Sequence, residues 1–159
     1  MEIVLTQEQV ALIDDEDYEL VSKFKWYARK HGNTYYSTTN INKPMGRASL
    51  QMHRLIMNAP IGKQVDHING NGLDNRRKNL RFSTQQQNCM NRIKRDSSAS
   101  SRYKGVSFHK PSGKWRSRIQ IDGKLKYLGY FTEEEEAAKA YDNAALKYFG
   151  EFARVNYAW

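Results

Sequence analysis

Cysteine is nearly absent. Cys89 stands alone in the 159 residues, which excludes an internal disulfide and any zinc site built on thiolates. No run of about 18 consecutive apolar residues occurs, so no transmembrane helix is expected. The opening MEIVLTQEQVALIDDEDYEL has no basic stretch followed by an apolar one, and no secretory leader is read in it. The expectation from these absences is a soluble, intracellular protein.

What is present is a globular composition, 39% hydrophobic and 27% charged, with a net charge of +9. The length allows one ordinary domain or two small ones with thin cores. The charge is unevenly placed. Residues 1–50 carry 6 basic and 7 acidic side chains, residues 51–101 carry 9 and 3, residues 102–131 carry 8 and 1, and residues 132–159 carry 3 and 6. Two basic blocks, one in each half, suggest two surfaces facing one polyanion. Neither block reads as an amphipathic helix with a long apolar face, which disfavours a membrane partner. Between them, Asp96–Ser101 (DSSASS) holds no large apolar side chain and reads as a flexible linker. The domains are therefore set at 1–95, with a core at 50–95, and 102–159.

The C-terminal half reads as three strands and a helix. Tyr103–His109 alternates and ends in the turn composition Lys110-Pro-Ser-Gly113. In Trp115–Ile121, Trp115, Ser117, Ile119 and Ile121 face one way and Arg116, Arg118 and Gln120 the other. Asp122-Gly123 signals a two-residue hairpin into Lys124–Tyr130. Thr132 and Glu135 suggest a capping box, Ala137, Tyr141, Ala144, Ala145 and Tyr148 recur at helical spacing, and Gly150 stops the helix. Such a helix covers the Trp115/Ile119 face and leaves Arg116, Arg118 and Gln120 for a duplex groove.

From Tyr103 to Tyr157 this segment resembles the ethylene-response-factor (Apetala-type) DNA-binding domain. The landmarks are Tyr103-Lys-Gly-Val106, Gly113-Lys-Trp115, Leu128-Gly129 with Phe131, Ala137-Ala138-Lys-Ala140-Tyr141-Asp142, and Asn156. The resemblance implies a three-stranded sheet lying in the major groove, with contacts from Lys104, Ser107, His109, Arg118, Gln120 and Tyr127. Ser107, His109, Gln120 and Leu125 stand where plant members carry arginine at several positions, so a different target sequence is expected.

The N-terminal half begins as a mixed α/β lead-in. A helix is expected over Tyr18–Phe24, a hairpin of Trp26–Arg29 with Thr34–Thr38 around His31-Gly-Asn33, and a strand Ser49–Met52 running into a short helix, His53–Met57. His31 reads as a turn residue and His53 as a hydrogen-bonded structural histidine. Then comes KQVDHINGNGLDNRRKNLRFSTQQQNCMNRIKR, Lys63–Arg95: a strand ending at Val65-Asp66-His67, an Asn/Gly-rich loop Ile68–Lys78, a return strand Asn79–Ser83, and a helix Thr84–Lys94 capped by Thr84. Such a unit can gather a carboxylate, a histidine and amide oxygens at one point, a hard-cation site beside a general base.

His53-Arg54-Leu55, Asp66-His67-Ile68-Asn69-Gly70, Asn79-Leu80 and Asn88 together resemble the HNH nuclease motif, in its cysteine-free branch of phage and intron homing endonucleases. The resemblance implies that Asp66 and Asn88 hold one divalent ion, Mg²⁺ or Mn²⁺ and not zinc, that His67 activates water, and that Asn79 braces the loop holding His67. Asn91 is the rival ligand, and Cys89 reads as a small buried residue. Arg76, Arg77, Lys78, Arg92, Lys94 and Arg95 are expected to hold phosphates.

The expected class is α+β: a ββα-metal HNH module behind a mixed lead-in, followed by a three-stranded antiparallel sheet packed on one helix. The expected activity is metal-dependent nicking of double-stranded DNA by a monomer, a dimer being the route to double-strand cuts. The setting this implies is the cytoplasm of a bacterial or phage-infected cell. The alternative is a non-catalytic DNA-binding regulator with a vestigial HNH module.

Overall fold

The computed structural model describes residues 1–32, 34–44, 46–92 and 100–157. The chain divides into two compact units, Met1–Asn88 and Cys89–Trp159. Most of the expected linker, residues 96–99, lies outside the described residues, as does Asn33 of the first hairpin turn. Among the described residues no helix is long and apolar enough to cross a membrane.

In the first unit, β1 (Glu2–Val4) pairs antiparallel with β2 (Val10–Leu12), and a 3₁₀ turn, Asp15–Asp17, leads into α1 (Tyr18–Val21). Strands β3 (Tyr27–His31), β4 (Thr34–Lys43) and β5 (Gly46–Gln51) form an antiparallel meander. The sequence suggested only its first hairpin; β4 continues past Thr38 to pair with β5. Helix α2 (Met52–Ile56) follows, then β6 (Gln64–His67) paired with β7 (Leu80–Ser83), and α3 (Gln85–Met90). Ile13, Val21, Trp26, Met52 and Ile56 form the centre of this unit's core. The Trp26 indole Nε1 donates to the Val21 carbonyl at 2.8 Å, so its one polar atom is satisfied inside that core. Thr84 caps α3 as expected: its Oγ1 accepts from the Gln87 amide, and Gln87 Oε1 accepts in return from the Thr84 amide.

In the second unit, β8 (Val106–His109), β9 (Lys114–Ile121) and β10 (Lys124–Phe131) form an antiparallel sheet, backed by α4 (Glu134–Phe149). The alternation in β9 sends Ser117 and Ile119 inward, and Ile119 packs with Tyr141, Ala144, Ala145 and Phe149. Buried side chains of this size contribute roughly 1.5–3 kcal/mol each. The alanines let α4 lie close on the sheet. Asp122 and Gly123 take φ of 49° and 76°, the left-handed pair that a two-residue hairpin turn requires.

Two helix expectations are corrected. The cap of α4 is Glu133, with no side-chain capping bond, so Thr132 and Glu135 form no capping box. The acidic first turn, Glu134–Glu136, complements the helix dipole instead. Tyr148 is exposed, its hydroxyl accepting from Lys126 Nζ at 2.7 Å, and Phe149 takes the core position.

Candidate functional site

Strand β6 delivers Asp66 and His67 at its end, both buried at 5% exposure. Alternation puts them on opposite faces of the strand, and Gln64 on the face of Asp66. Arg81 stands directly across from Asp66 in β7, and its Nε and Nη2 both donate to Asp66 Oδ2, at 3.0 and 2.9 Å. Asn88, from α3, donates its Nδ2 to Gln64 Oε1 at 3.2 Å, which brings its side chain to that face. Gln64 Nε2 in turn donates to Gln85 Oε1.

His67 is oriented by Asn75, which is fully buried. Asn75 Nδ2 donates to the Leu73 carbonyl at 3.1 Å, so its Oδ1 is the atom turned toward His67 Nε2, at 3.3 Å. An amide oxygen only accepts, which makes Nε2 the protonated nitrogen and leaves the lone pair on Nδ1. Burial pulls the His67 pKa below 6.5, against Asn75, Asp66 and Asp74, which all push it upward. The ring is therefore neutral near pH 7.

The loop between the strands is held from within. Asn79 Oδ1 accepts from the Asn69 amide at 3.0 Å, and its Nδ2 donates to Asn69 Oδ1 and the Asp74 carbonyl at 3.0 and 2.8 Å. The Ile68 amide donates to the Asn79 carbonyl. Strand β2 grips the same loop from outside: the Leu12 amide donates to the Leu73 carbonyl, and the Leu12 carbonyl accepts from the Asn75 amide. The Gly72 amide donates to Thr34 Oγ1 at 3.0 Å. A Cβ at Gly72 would lie 2.5 Å from the Tyr35 carbonyl oxygen and 2.7 Å from the Tyr36 ring, so only glycine lets loop and sheet approach this closely.

Tyr36 is the hub of an aromatic cluster. Its ring lies 5.7 Å from both His53 and His67, and 6.0 Å from His31. His53 and His67 themselves meet at 4.8 Å. Burial, with the neighbouring His67 and Arg54, lowers the His53 pKa to about 3.

In the second unit, the outer sheet face carries Ser107 and His109 from β8, Arg116, Arg118 and Gln120 from β9, and Tyr127 and Tyr130 from β10. Arg116 pairs across to both Ser107 and Tyr130, and Arg118 to Tyr127. Arg116 Nη2 donates to Ser107 Oγ at 3.3 Å, and the His109 and Tyr130 rings pack 5.1 Å apart. A register shift between Tyr127 and Gly129 re-aims the end of β10. The face is arginine and aromatic, without a carboxylate.

The comparisons match both constellations. The HNH endonuclease family matches residues 52–90, and the AP2 domain matches residues 101–151. An uncharacterized HNH endonuclease of Acanthamoeba polyphaga mimivirus is 34% identical over 152 residues, spanning 92% of this chain and 74% of its own. The chain belongs to the HNH endonuclease family. It is a nuclease with a DNA-binding AP2 domain. That domain is also similar to APETALA2-like protein 2 of Oryza sativa subsp. indica, 47% identical over 60 residues. An AP2-like ethylene-responsive transcription factor of Arabidopsis thaliana, PLT2, is 48% identical over 71 residues. These two alignments span 38% and 41% of this chain but only 14% and 12% of the plant proteins.

Within the HNH module, Asp66, His67, Asn79 and Asn88 all lie on the β6–loop–β7–α3 unit that the motif predicts. Several other expectations change. Arg76 is paired with Asp74, its Nε 2.7 Å from Oδ1, and Arg77 with Asp17, its Nη2 2.6 Å from Oδ1. Asp14 Oδ2 also accepts from the Arg77 amide. Both guanidiniums therefore brace the fold, while Lys78 and Arg92 are exposed and Lys94 and Arg95 lie outside the described residues. Cys89 is exposed, not buried, and Asn91 is buried. The buried Nδ1 of His53 has no hydrogen-bond partner among the described residues. In the AP2 domain, Lys104 does not face outward with the other contact residues. It is half-buried, its Nζ donates to the Met90 carbonyl, and burial beside Arg154 lowers its pKa to about 8.

Nothing in the sequence singles out Asn75, Tyr36 or Arg81. Asn75 and Arg81 lay inside the motif, but an asparagine-rich loop gives no sign of which asparagine faces the histidine.

Proposed function

We propose that the protein is a divalent-metal-dependent DNA endonuclease that nicks one strand, at sites chosen by the AP2 domain. The observation that carries this reading is the Asn75–His67 hydrogen bond, because it fixes the tautomer in which Nδ1 accepts a proton. Neutral by burial, His67 takes the proton from the attacking water. Asn79 keeps the 68–78 loop, and with it Asn75, in register behind the imidazole.

The donor chemistry fits a hard cation at the end of β6: Asp66 offers a carboxylate, which Arg81 now holds through Oδ2, and Asn88 an amide oxygen, since its Nδ2 is turned to Gln64. These two residues would hold Mg²⁺ or Mn²⁺, with no thiolate to favour zinc. Such an ion, when bound, supplies Lewis-acid stabilisation of charge on the phosphate and leaving oxygens. One centre per chain accounts for one strand, so a monomer nicks and a double-strand break takes two copies or two events. The mimivirus relative is consistent with a viral setting, and homing is carried over from the motif alone.

The test is nicking of supercoiled plasmid with Mg²⁺ or Mn²⁺, with and without chelator, wild type beside His67→Ala. Metal-dependent relaxation that falls about 10²-fold or more in the variant, with duplex binding retained, is the expected result. Duplex binding without cleavage by either protein would replace the nuclease reading by that of a DNA-binding regulator.

A further inference from the structure

Residues 20–65 contain eight Lys and Arg and no Asp or Glu. Seven acidic side chains precede this stretch, of which Asp14, Glu16 and Asp17 are drawn onto Arg77, and the two that follow it in this half, Asp66 and Asp74, are paired with Arg81 and Arg76. The basic stretch folds as the β3–β4–β5 meander and α2, and the two faces of that meander differ.

One face is structural: Ala28 from β3, Tyr35 from β4 and Leu50 from β5 pack on the core of the unit. By alternation and register the other face carries Tyr27, Arg29 and His31 of β3, Tyr36, Thr38, Asn40 and Asn42 of β4, and Arg47, Ser49 and Gln51 of β5. It has two arginines and no carboxylate. Arg29, His31, Asn40, Asn42 and Arg47 are exposed, and among the described residues neither arginine has an ion-pair partner.

This face also leads to the cleavage centre. Tyr36 belongs to it and packs against His67. From Tyr36, the strand runs past Thr38 to Asn40 and Asn42, with Arg47 directly opposite Asn42. Six residues of strand span roughly 20 Å, about the rise of six base pairs.

We propose that the open face of the β3–β4–β5 sheet is a further DNA-contacting surface of this protein, holding the duplex beside the phosphate that is cut. Arg29 and Arg47 reach phosphates, and Asn40 and Asn42 supply polar contacts between them. The proposal rests on the nuclease reading only for its location; the contact itself is read by binding.

The experiment uses the full chain with chelator present, so that nothing is cleaved, and a short random-sequence duplex. Affinity is measured against salt for wild type, for R29A/R47A, and for K23A/K25A, which removes two exposed lysines off this face. Loss of two phosphate contacts lowers the slope of log affinity on log salt by about 1.8, so the penalty between about 50 and 200 mM salt shrinks about twelvefold. That change in R29A/R47A and not in K23A/K25A, at unchanged melting temperature, is the expected result. An unchanged slope, or an equal change in both pairs, overturns the proposal. Failure of the nuclease reading would appear separately, as absent plasmid nicking with the slope change intact.

Discussion

The imidazoles of His53 and His67 meet edge to face, their centroids 4.8 Å apart and their planes at 80°. His53 is nearly fully buried, and among the described residues its Nδ1 has no hydrogen-bond partner, so its contact with His67 is one of packed rings. His53→Ala should cost about 3–5 kcal/mol of stability, as loss of a buried ring does, and should slow nicking as His67 gains freedom. His53→Phe keeps a flat ring and is expected to restore both melting temperature and rate. A Phe variant that folds but cuts no better than Ala would show that a nitrogen is required.

Both rings are held neutral in the fold, His53 down at about 3 and His67 also lowered. The unfolded chain, with histidine near 6.5, takes up protons as the pH falls below that value while the folded chain does not. Stability is therefore full above about pH 6.5 and declines with acidity, by up to about 1.4 kcal/mol per pH unit for each ring. Urea midpoints at pH 7 and pH 5 should fall more in wild type than in His53→Phe.

Asn75 sets the tautomer of His67 through a neutral acceptor. Asn75→Asp places a carboxylate there, which favours the imidazolium and raises the His67 pKa. The acid limb of the nicking rate against pH should move to higher pH by about one unit. An unmoved limb would mean that His67 is not the titrating base.

That Asp66, His67, Asn79 and Asn88 share one strand–loop–strand–helix unit was legible because those elements follow in order along the chain and their residues match a known motif. Alternation in β9 and the Asp122-Gly123 turn were legible for the same local reason. What escaped is set by packing between distant segments. Asp17 and Arg77 are sixty residues apart, and nothing local distinguishes a guanidinium that meets a carboxylate from one that meets phosphate. Lys104 has the motif position of a DNA contact, and only the backbone near Met90 turns it inward. Charge counted over residues 1–50 averaged an acidic start with a basic stretch and hid the latter.

Arg77→Ala leaves Asp17, 2% exposed, without its cation. Because the arginine itself is half exposed, the loss should be about 1–3 kcal/mol, below that of a fully buried pair. Denaturant melts read that loss. The salt slope of DNA binding should stay at the wild-type value, since this side chain is bound internally.

Arg118 and Lys104 separate the two roles a basic residue can have in the AP2 domain. Arg118→Ala should weaken binding to the preferred site by about 1–3 kcal/mol while sparing nicking of nonspecific plasmid. Lys104→Ala should lower the melting temperature of the domain and leave its salt slope nearly unchanged. Footprinting and thermal melts on the same two proteins make the comparison.

The AP2 domain is closed by a knot near residue 156. Asp142, fully buried in α4, accepts from the amides of Asn156 and Tyr157 and from Asn156 Nδ2, while Asn156 Oδ1 accepts from the Lys104 amide. On the ribosome, residue 156 follows residue 88 by sixty-eight residues, or roughly 3–14 s at translation rates of about 5–20 residues per second. The residues proposed to cleave are thus all made before the domain proposed to aim them can close. A messenger broken in that interval would encode a cutter without a sight.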